Sequence, residues 1–136
     1  MRLLVRGGLG ILVLVQLGTG LWQLVLPEGF YRDFPTVSLA PPYNEHLMRD
    51  FGAANVALGI IVLVVAVWFE KRYVVLVLLA YLAFSIPHAL FHFTHLHGAT
   101  GADVAFQVVS LGSAVVLPLI VLALVPRAFG AVPAAE

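Results

Sequence analysis

Four apolar runs divide the chain, and each of them is long enough to cross a lipid bilayer. They cover about residues 7–26, 51–69, 73–93 and 104–125. At ~1.5 Å of rise per residue, helices of this length span the ~30 Å hydrocarbon layer of a bilayer. A helix also satisfies its own backbone hydrogen bonds, which hydrocarbon cannot do. The runs therefore predict an all-α fold, an integral membrane antiparallel four-helix bundle that forms a single domain over residues 1–136.

Composition agrees with this class and excludes several others. The chain is 62% hydrophobic and 10% charged, with a mean hydropathy of +1.04. Its formal net charge is zero, so nothing suggests a nucleic acid partner, and the lipid bilayer is the expected surrounding. Cysteine is absent. This excludes disulfides, thiolate metal sites and a quinone-coupled thiol reductase, so any metal must be held by nitrogen and oxygen ligands.

Basic residues predict the orientation in the membrane. One side of the bundle carries Arg2, Arg6, Lys71, Arg72 and Arg127, and the other carries only Arg32 and Arg49. The positive-inside rule then places both termini and the tight turn at residues 70–72 in the cytoplasm. We read the first run as a retained span, because no small-residue cleavage site precedes Pro27. The chain is thus expected to be a multi-pass protein of the cell membrane.

The longer outer loop, at about residues 27–50, mixes aromatic and charged residues. A disordered tether would be depleted of aromatic residues, so we expect an ordered cap over the outer mouth of the bundle. Pro41 and Pro42 stiffen the approach to the second span. The alternative is an interfacial loop whose aromatic rings rest among lipid headgroups.

The start of the second helix carries local stabilising signals. Asn44 is a suitable N-cap residue, and the acidic side chain of Glu45 favours the positive end of a helix. Arg49 follows Glu45 by four residues, which predicts an ion pair on the helix surface.

Histidines are concentrated at the outer end of the third span. His88, His92 and His95 repeat at i, i+4 and i+7, so on a helix they point within ~60° of one another. Ionisable side chains in a membrane helix are costly unless they pair, bind a ligand or line water. Pro87 removes one backbone hydrogen bond directly before the cluster. These residues predict a functional site in the outer leaflet.

Depth along the helices suggests which groups meet the histidines. Counting from the inner turn at equal rise per residue places His92 level with Asp50 and His88 near Asn55. The same count places Gln107 and Gln23 at about the depth of His92. Polar side chains in lipid face the bundle interior, so we expect these groups to converge.

A transition metal ranks first among the candidate ligands. Imidazoles one turn apart with a carboxylate from a neighbouring helix suit a divalent ion such as zinc, copper or iron. We nominate His88, His92 and Asp50 as the core ligands, with His95 and Glu45 as further ligands. Whether such a site is catalytic stays open.

Two other cofactor roles rank lower. Haem is second, because the interiors of helix bundles host cofactors. Haem held by two histidines usually takes them from facing helices, which counts against it here. Only His46 lies outside the third span and its adjoining turn. A proton relay is third, since histidine titrates near neutrality.

A non-enzymatic accessory or lipid-binding bundle is the competing interpretation, with its polar residues forming a structural network. Glutamines in membrane helices often hold helices together, and Gly52 and Gly59 form a stripe suited to close packing. That stripe could also join copies in a homo-oligomer or bind a larger membrane complex.

Three segments carry a resemblance to a known group. They are residues 27–35 (PEGFYRDFP), 42–53 (PYNEHLMRDFGA) and 87–96 (PHALFHFTHL). The pattern resembles a family of small four-span actinobacterial membrane proteins, which are similar in size and layout to the DoxX-like four-helix bundles. The resemblance implies the fold and assigns no activity. Redox chemistry linked to the DoxX name does not carry over, because this chain has no thiol.

Overall fold

The computed structural model of the protein describes residues 1–39 and 42–130. Its helices are α1 (Arg2–Val25), α2 (Pro27–Asp33), α3 (Glu45–Trp68), α4 (Lys71–Thr94) and α5 (Gly101–Phe129), with a short 3₁₀ helix at Val37–Leu39. The described residues contain no strand, which confirms the predicted all-α fold. Pro41, one of the two prolines expected to stiffen the loop, lies outside the described residues.

Four of these helices, namely α1, α3, α4 and α5, are long and apolar enough to cross a membrane. They run in alternating directions, so α1 and α4 begin at the end of the bundle where α3 and α5 finish. We call this end the basic end, because it carries Arg2, Arg6, Lys71, Arg72 and Arg127. The opposite end, which carries His88 and His92, is called the histidine end.

Two of the long helices, α3 and α5, begin before their apolar runs, at points where polar residues cap them. The side chain of Asn44 accepts a 3.1 Å hydrogen bond from the Leu47 backbone N–H, as the sequence predicts, and α3 begins at Glu45. Thr100 and Asp103 form a reciprocal capping box at the start of α5. The capped starts of α3 and α5 thus add polar turns outside the apolar part of these two helices.

The turn between α3 and α4 is short, as predicted. Phe69 ends α3 in the left-handed conformation, at φ 52°, and Glu70 is the N-cap of α4. The ring of Phe69 packs on that of Phe129, with centroids 4.9 Å apart. The turn is therefore tied to the last residue of α5.

The apolar core occupies the half of the bundle nearest the basic end. Val5, Leu9, Val62, Val74 and Leu78 are completely inaccessible to solvent there. The side chains interlock across α1, α3 and α4, and Val121 and Val125 add α5 to the same cluster. The interior of this half is therefore closely packed.

Glycines bring α1 and α3 into backbone contact. A Cβ atom added to Gly52 would lie 2.6 Å from the Leu24 backbone nitrogen, and one added to Gly20 would lie 2.9 Å from the Val56 nitrogen. Gly59 faces Leu17 in the same interface. The predicted packing stripe is therefore used inside the chain. Our suggestion that it joins separate copies is wrong, because α1 already covers it.

The segment between α1 and α3 folds back over the histidine end. Phe30 of α2 is buried, and its ring lies 5.4 Å from that of Trp22 and 4.7 Å from that of Phe34. Phe34 also meets Phe106 of α5 with centroids 5.9 Å apart. These ring contacts join α1, the segment that follows it and α5, so the residues lie against the bundle.

Candidate functional site

A cavity of about 260 Å³ lies among the helices in the histidine half of the bundle. All four long helices and the segment that folds over this end contribute to it. Its polar lining consists of Gln16, Thr19, Gln23, Thr36, Tyr81, Ser85, His88, His92, Gln107 and Ser110. Aromatic rings supply much of the remaining wall, from Phe30, Phe34, Phe51, Phe84 and Phe106. The cavity therefore combines aromatic walls with hydrogen-bonding groups.

His88 and His92 lie next to each other on the wall formed by α4. Their ring centroids are 4.7 Å apart, and the rings meet edge to face at 73°. His88 also stacks on Phe84, at 5.4 Å, and lies 5.8 Å from the ring of Phe51 on α3. Both imidazoles are partly buried rather than turned to lipid. The prediction that this face of α4 points into the bundle is thus supported by the two residues' positions.

Two polar atoms on the cavity lining are buried without a hydrogen-bond partner among the described residues. They are Ser85 Oγ on α4 and Gln107 Oε1 on α5. Ser85 and Gln107 are only 2% and 3% exposed, respectively. An unpaired buried polar group costs about 1–3 kcal/mol, so most buried groups in native proteins find a partner. Both atoms belong to residues that line the cavity, and the atoms themselves are buried.

A hydrogen-bonded chain of amides borders the cavity on the α1 side. Asn55 Nδ2 donates to Gln23 Oε1 at 2.9 Å, and Gln16 Nε2 donates to Asn55 Oδ1 at 3.1 Å. The Tyr81 hydroxyl donates to Gln16 Oε1 at 3.4 Å. This chain joins α1, α3 and α4 at the level where the apolar core ends. Gln16, Gln23 and Asn55 are thus partners of one another rather than of the histidines.

Asp50 and Glu45, the carboxylates nominated as metal ligands, lie outside the cavity. Asp50 pairs with His46 on its own helix at 3.3 Å, and its side chain is 65% exposed. Glu45 pairs with Arg49 at 2.8 Å, as the spacing predicts. Arg49 also donates to the Leu24 carbonyl at the end of α1. Neither carboxylate reaches His88 or His92.

The rotation of α3 explains this separation. Gly52 must face α1, because only glycine permits the backbone contact there. Asp50 precedes Gly52 by two positions, which turns it about 200° away on a helix. Residue counting gave the depth of Asp50 along the bundle and did not give this rotation.

His95 and His97 also lie outside the cavity. His95 is the C-cap residue of α4, and its Nδ1 lies 2.8 Å from the Phe91 carbonyl oxygen. Its ring stacks on that of Phe91 with centroids 4.1 Å apart. Among residues 1–39 and 42–130, no three His, Asp or Glu side chains are placed to hold one metal ion. The five nominated ligands are therefore not brought together.

The charged groups of the cap face outwards. The Arg32 guanidinium donates two hydrogen bonds of 2.7 Å to the Asp33 carboxylate, and these lower the pKa of that carboxyl. Both side chains are exposed. The residues of this segment that line the cavity are Phe30, Phe34, Thr36 and Val37.

Sequence reasoning missed most of the aromatic lining. Phe84 and Phe106 were not among the groups expected to converge, although each lies one residue from a polar residue that lines the cavity, Ser85 or Gln107. A single residue on a helix rotates the side chain by about 100°, so neighbours of an inward-facing residue can share a wide cavity. The sequence could have indicated these residues if each helix had been given a wide inward-facing surface rather than a single row of polar residues.

Comparison with protein-family models, with curated proteins and with solved structures finds no match to this chain. The resemblance to small actinobacterial four-span proteins therefore remains a prediction. The function is therefore inferred from the geometry of the site alone.

Proposed function

We propose that this small membrane protein binds an uncharged, amphipathic organic molecule in the cavity at its histidine end. The observation that carries the proposal is the pair of unpaired buried atoms, Ser85 Oγ and Gln107 Oε1, on the lining of a partly aromatic cavity. A ligand that donates a hydrogen bond to Gln107 would remove the cost of leaving its oxygen unpaired. Its apolar part would lie among the phenylalanine rings.

The lining supports a neutral ligand. Among the described residues, those that line the cavity include no Lys, Arg, Asp or Glu. A charged molecule would lose its hydration without gaining an ionic partner, which is strongly unfavourable in a poorly solvated site. The lining offers many hydrogen-bonding side chains, so the polar part of the ligand is best an aromatic amine, amide, hydroxyl or carbonyl group.

The size of the cavity supports a small ligand. Its volume of about 260 Å³ lies just below the roughly 300–1,000 Å³ of typical ligand sites. Aromatic rings prefer offset or edge-to-face contacts, which the phenylalanines around the cavity can offer to a planar molecule. A compact ring compound fits these requirements better than a whole phospholipid.

Fluorescent aminoanthracene is a suitable first probe, because it is planar, apolar and carries one amine donor. We expect wild-type protein in detergent to raise its emission in a saturable way. The variant Ala114→Phe fills the cavity from α5, since Ala114 is one of the lining residues. It should abolish saturable binding.

Val116→Phe is the matched control. It introduces the same side chain two residues along α5, where Val116 is 53% exposed. Binding should survive in this variant. Equal binding by wild-type protein and both variants would show that the probe binds in the detergent. The absence of saturable binding in wild-type protein would contradict the proposal.

A transition metal site is the second candidate, and the adjacency of His88 and His92 favours it. Imidazoles one helical turn apart can share one ion at metal–nitrogen distances of ~2.0–2.1 Å after side-chain rotation. The remaining ligands would come from water or from a bound molecule, because Asp50, Glu45 and His95 lie elsewhere. Haem has less support, since His46, the only histidine outside α4 and its adjoining turn, pairs with Asp50 and is exposed.

The orientation in the cell membrane is proposed on the distribution of basic residues. Five lie at one end and two at the other, which favours a cytoplasmic basic end and an external histidine end. Reporter fusions to the C-terminus test this directly. Activity of a periplasm- or surface-specific reporter at that position would overturn the orientation.

A further inference from the structure

The basic end of the bundle has a marked excess of positive charge. Arg2, Arg6, Lys71, Arg72 and Arg127 lie there, and Glu70 is the one acidic residue of this end within residues 1–39 and 42–130. Glu70 pairs with Arg72, at 3.3 Å. The other four basic side chains form no ion pair with a described carboxylate. This excess favours an anionic ligand.

Three of the arginines lie over aromatic rings of this end, and Arg2 and Arg6 are two of them. The Arg2 guanidinium carbon lies 5.5 Å from the centre of the Phe129 ring, and that of Arg6 lies 4.5 Å from the centre of the Phe69 ring. Arg2 Nε donates to the Ala128 carbonyl at 3.3 Å. Such contacts limit the freedom of a long side chain, so less entropy is lost when its remaining N–H groups bind a ligand.

An open groove lies beside these residues. Its lining combines Arg2, Lys71 and Arg72 with the apolar side chains of Phe69, Val75 and Phe129. Glu70 also lines it, but its carboxylate is paired with Arg72. Val75 is one turn into the membrane-length helix α4, whereas Lys71 is its first residue. The groove therefore presents cationic groups on one side and apolar groups that continue towards the hydrocarbon on the other.

We propose that this groove binds the phosphate group of an anionic phospholipid, with Arg2 and Lys71 as the principal ligands. Arginine and lysine donors match phosphate oxygens, and basic residues at a membrane surface attract anionic lipids. Free phosphate offers the same oxygens. The apolar flank favours the lipid, because its acyl chains can lie along Val75 and Phe129. The site is separate from the cavity at the histidine end and does not depend on the ligand proposed there.

Trp68 provides a local reporter of lipid at this groove. It directly precedes Phe69 and is 68% exposed. Replacing the other tryptophan in a Trp22→Phe background leaves Trp68 as the sole source of indole fluorescence. Phosphatidylglycerol or phosphatidylcholine with brominated acyl chains would be added as a minor component to phosphatidylcholine bilayers that contain the protein. We expect the brominated phosphatidylglycerol to quench Trp68 at a lower mole fraction.

Substitution separates a defined site from general surface attraction. Lys71→Gln should weaken the apparent phosphatidylglycerol affinity by about fivefold, and Arg2→Gln should act similarly. Arg127→Gln removes one charge from the same end but not from the groove lining. It should change the affinity by less than about twofold, since exposed charges are screened over ~10 Å.

Three results would overturn the proposal. Equal quenching by the two brominated lipids would show that the groove has no preference for an anionic lipid. Equal losses in Lys71→Gln and Arg127→Gln would assign the preference to diffuse charge. Displacement of the quenching lipid by inorganic phosphate, but not by chloride at matched ionic strength, would assign the groove to free phosphate.

Discussion

Asn55 binds both Gln16 and Gln23, and this places one side chain of α3 between two of α1. It donates to Gln23 at 2.9 Å and accepts from Gln16 at 3.1 Å. The two contacts lie next to the glycines that bring the helices together. These hydrogen bonds therefore stabilise the same interface in which Gly20 and Gly52 allow the two helices to approach closely. Gln16 and Gln23 also line the cavity.

Asn55→Ala should destabilise the bundle. The substitution removes the Asn55 partner of Gln16 Nε2 and of Gln23 Oε1, and such losses cost about 1–3 kcal/mol in total. Unfolding in detergent, followed by circular dichroism, measures the change. Ser113→Ala is the control, because Ser113 is exposed and bonds only the Ser110 carbonyl of its own helix. Equal stability of the two variants would contradict a role for the network.

Gly52→Ala should also be destabilising, for a steric reason. The new methyl group would lie 2.6 Å from the Leu24 nitrogen, so α1 and α3 would have to separate. Overpacking of this kind typically costs about 1–3 kcal/mol. Gly18→Ala on α1 is the matched control, since the added Cβ of Gly18 would have no neighbour within 4 Å in the described part of the chain. If the thermal midpoints of the two variants agree, the close interface is absent in solution.

Removing an unpaired polar atom from the cavity lining should raise stability, in contrast to the two substitutions above. Gln107→Leu should stabilise ligand-free protein by up to about 1–3 kcal/mol, because it removes an unpaired buried amide. The same variant should bind aminoanthracene about fivefold more weakly, since one hydrogen bond is lost. Gln16→Leu is the comparison: Gln16 is already bonded to Asn55 and Tyr81, so its loss should lower stability. Destabilisation by Gln107→Leu would show that this residue has a structural partner.

The alternative of a metal ligand is tested with the two adjacent histidines. If His88 and His92 bind an ion, then His88→Ala combined with His92→Ala should lose stoichiometric metal while the helix content is kept. Binding should also weaken as pH falls, because ligation requires neutral imidazole. His46→Ala combined with His97→Ala is the control. Elemental analysis of protein purified without chelators gives the answer, and wild-type protein that neither carries nor takes up metal excludes this function.

The fold could be predicted because it depends on properties that the sequence displays directly. Span length, the cap at Asn44 and the pair between Glu45 and Arg49 are local, and the structure contains all three. The inward position of His88 and His92 follows from the cost of exposing imidazole to lipid. These features need no knowledge of which helices are neighbours.

The composition of the site depended on information that the sequence does not display. Predicting that Asp50 would meet His92 required the rotation of α3, and the contact of Gly52 with α1 decides that rotation. Packing between Gly20 and Gly52 involves residues more than thirty positions apart, so no local pattern shows it. The same contact turns Asn55 towards α1, where it bonds Gln23. Asp50 then lies outside the cavity and pairs with His46 of its own helix.

The central claim is that the cavity at the histidine end holds a small organic molecule, and native mass spectrometry tests it most directly. Protein released from cell membranes should carry a bound mass smaller than that of a phospholipid. We expect this mass in wild-type protein and in Val116→Phe, and we expect it to be absent from Ala114→Phe, where the cavity is filled. Phospholipid bound at the basic end should be retained in all three proteins. Identical spectra of wild-type protein and Ala114→Phe, with no small bound mass in either, would contradict the claim.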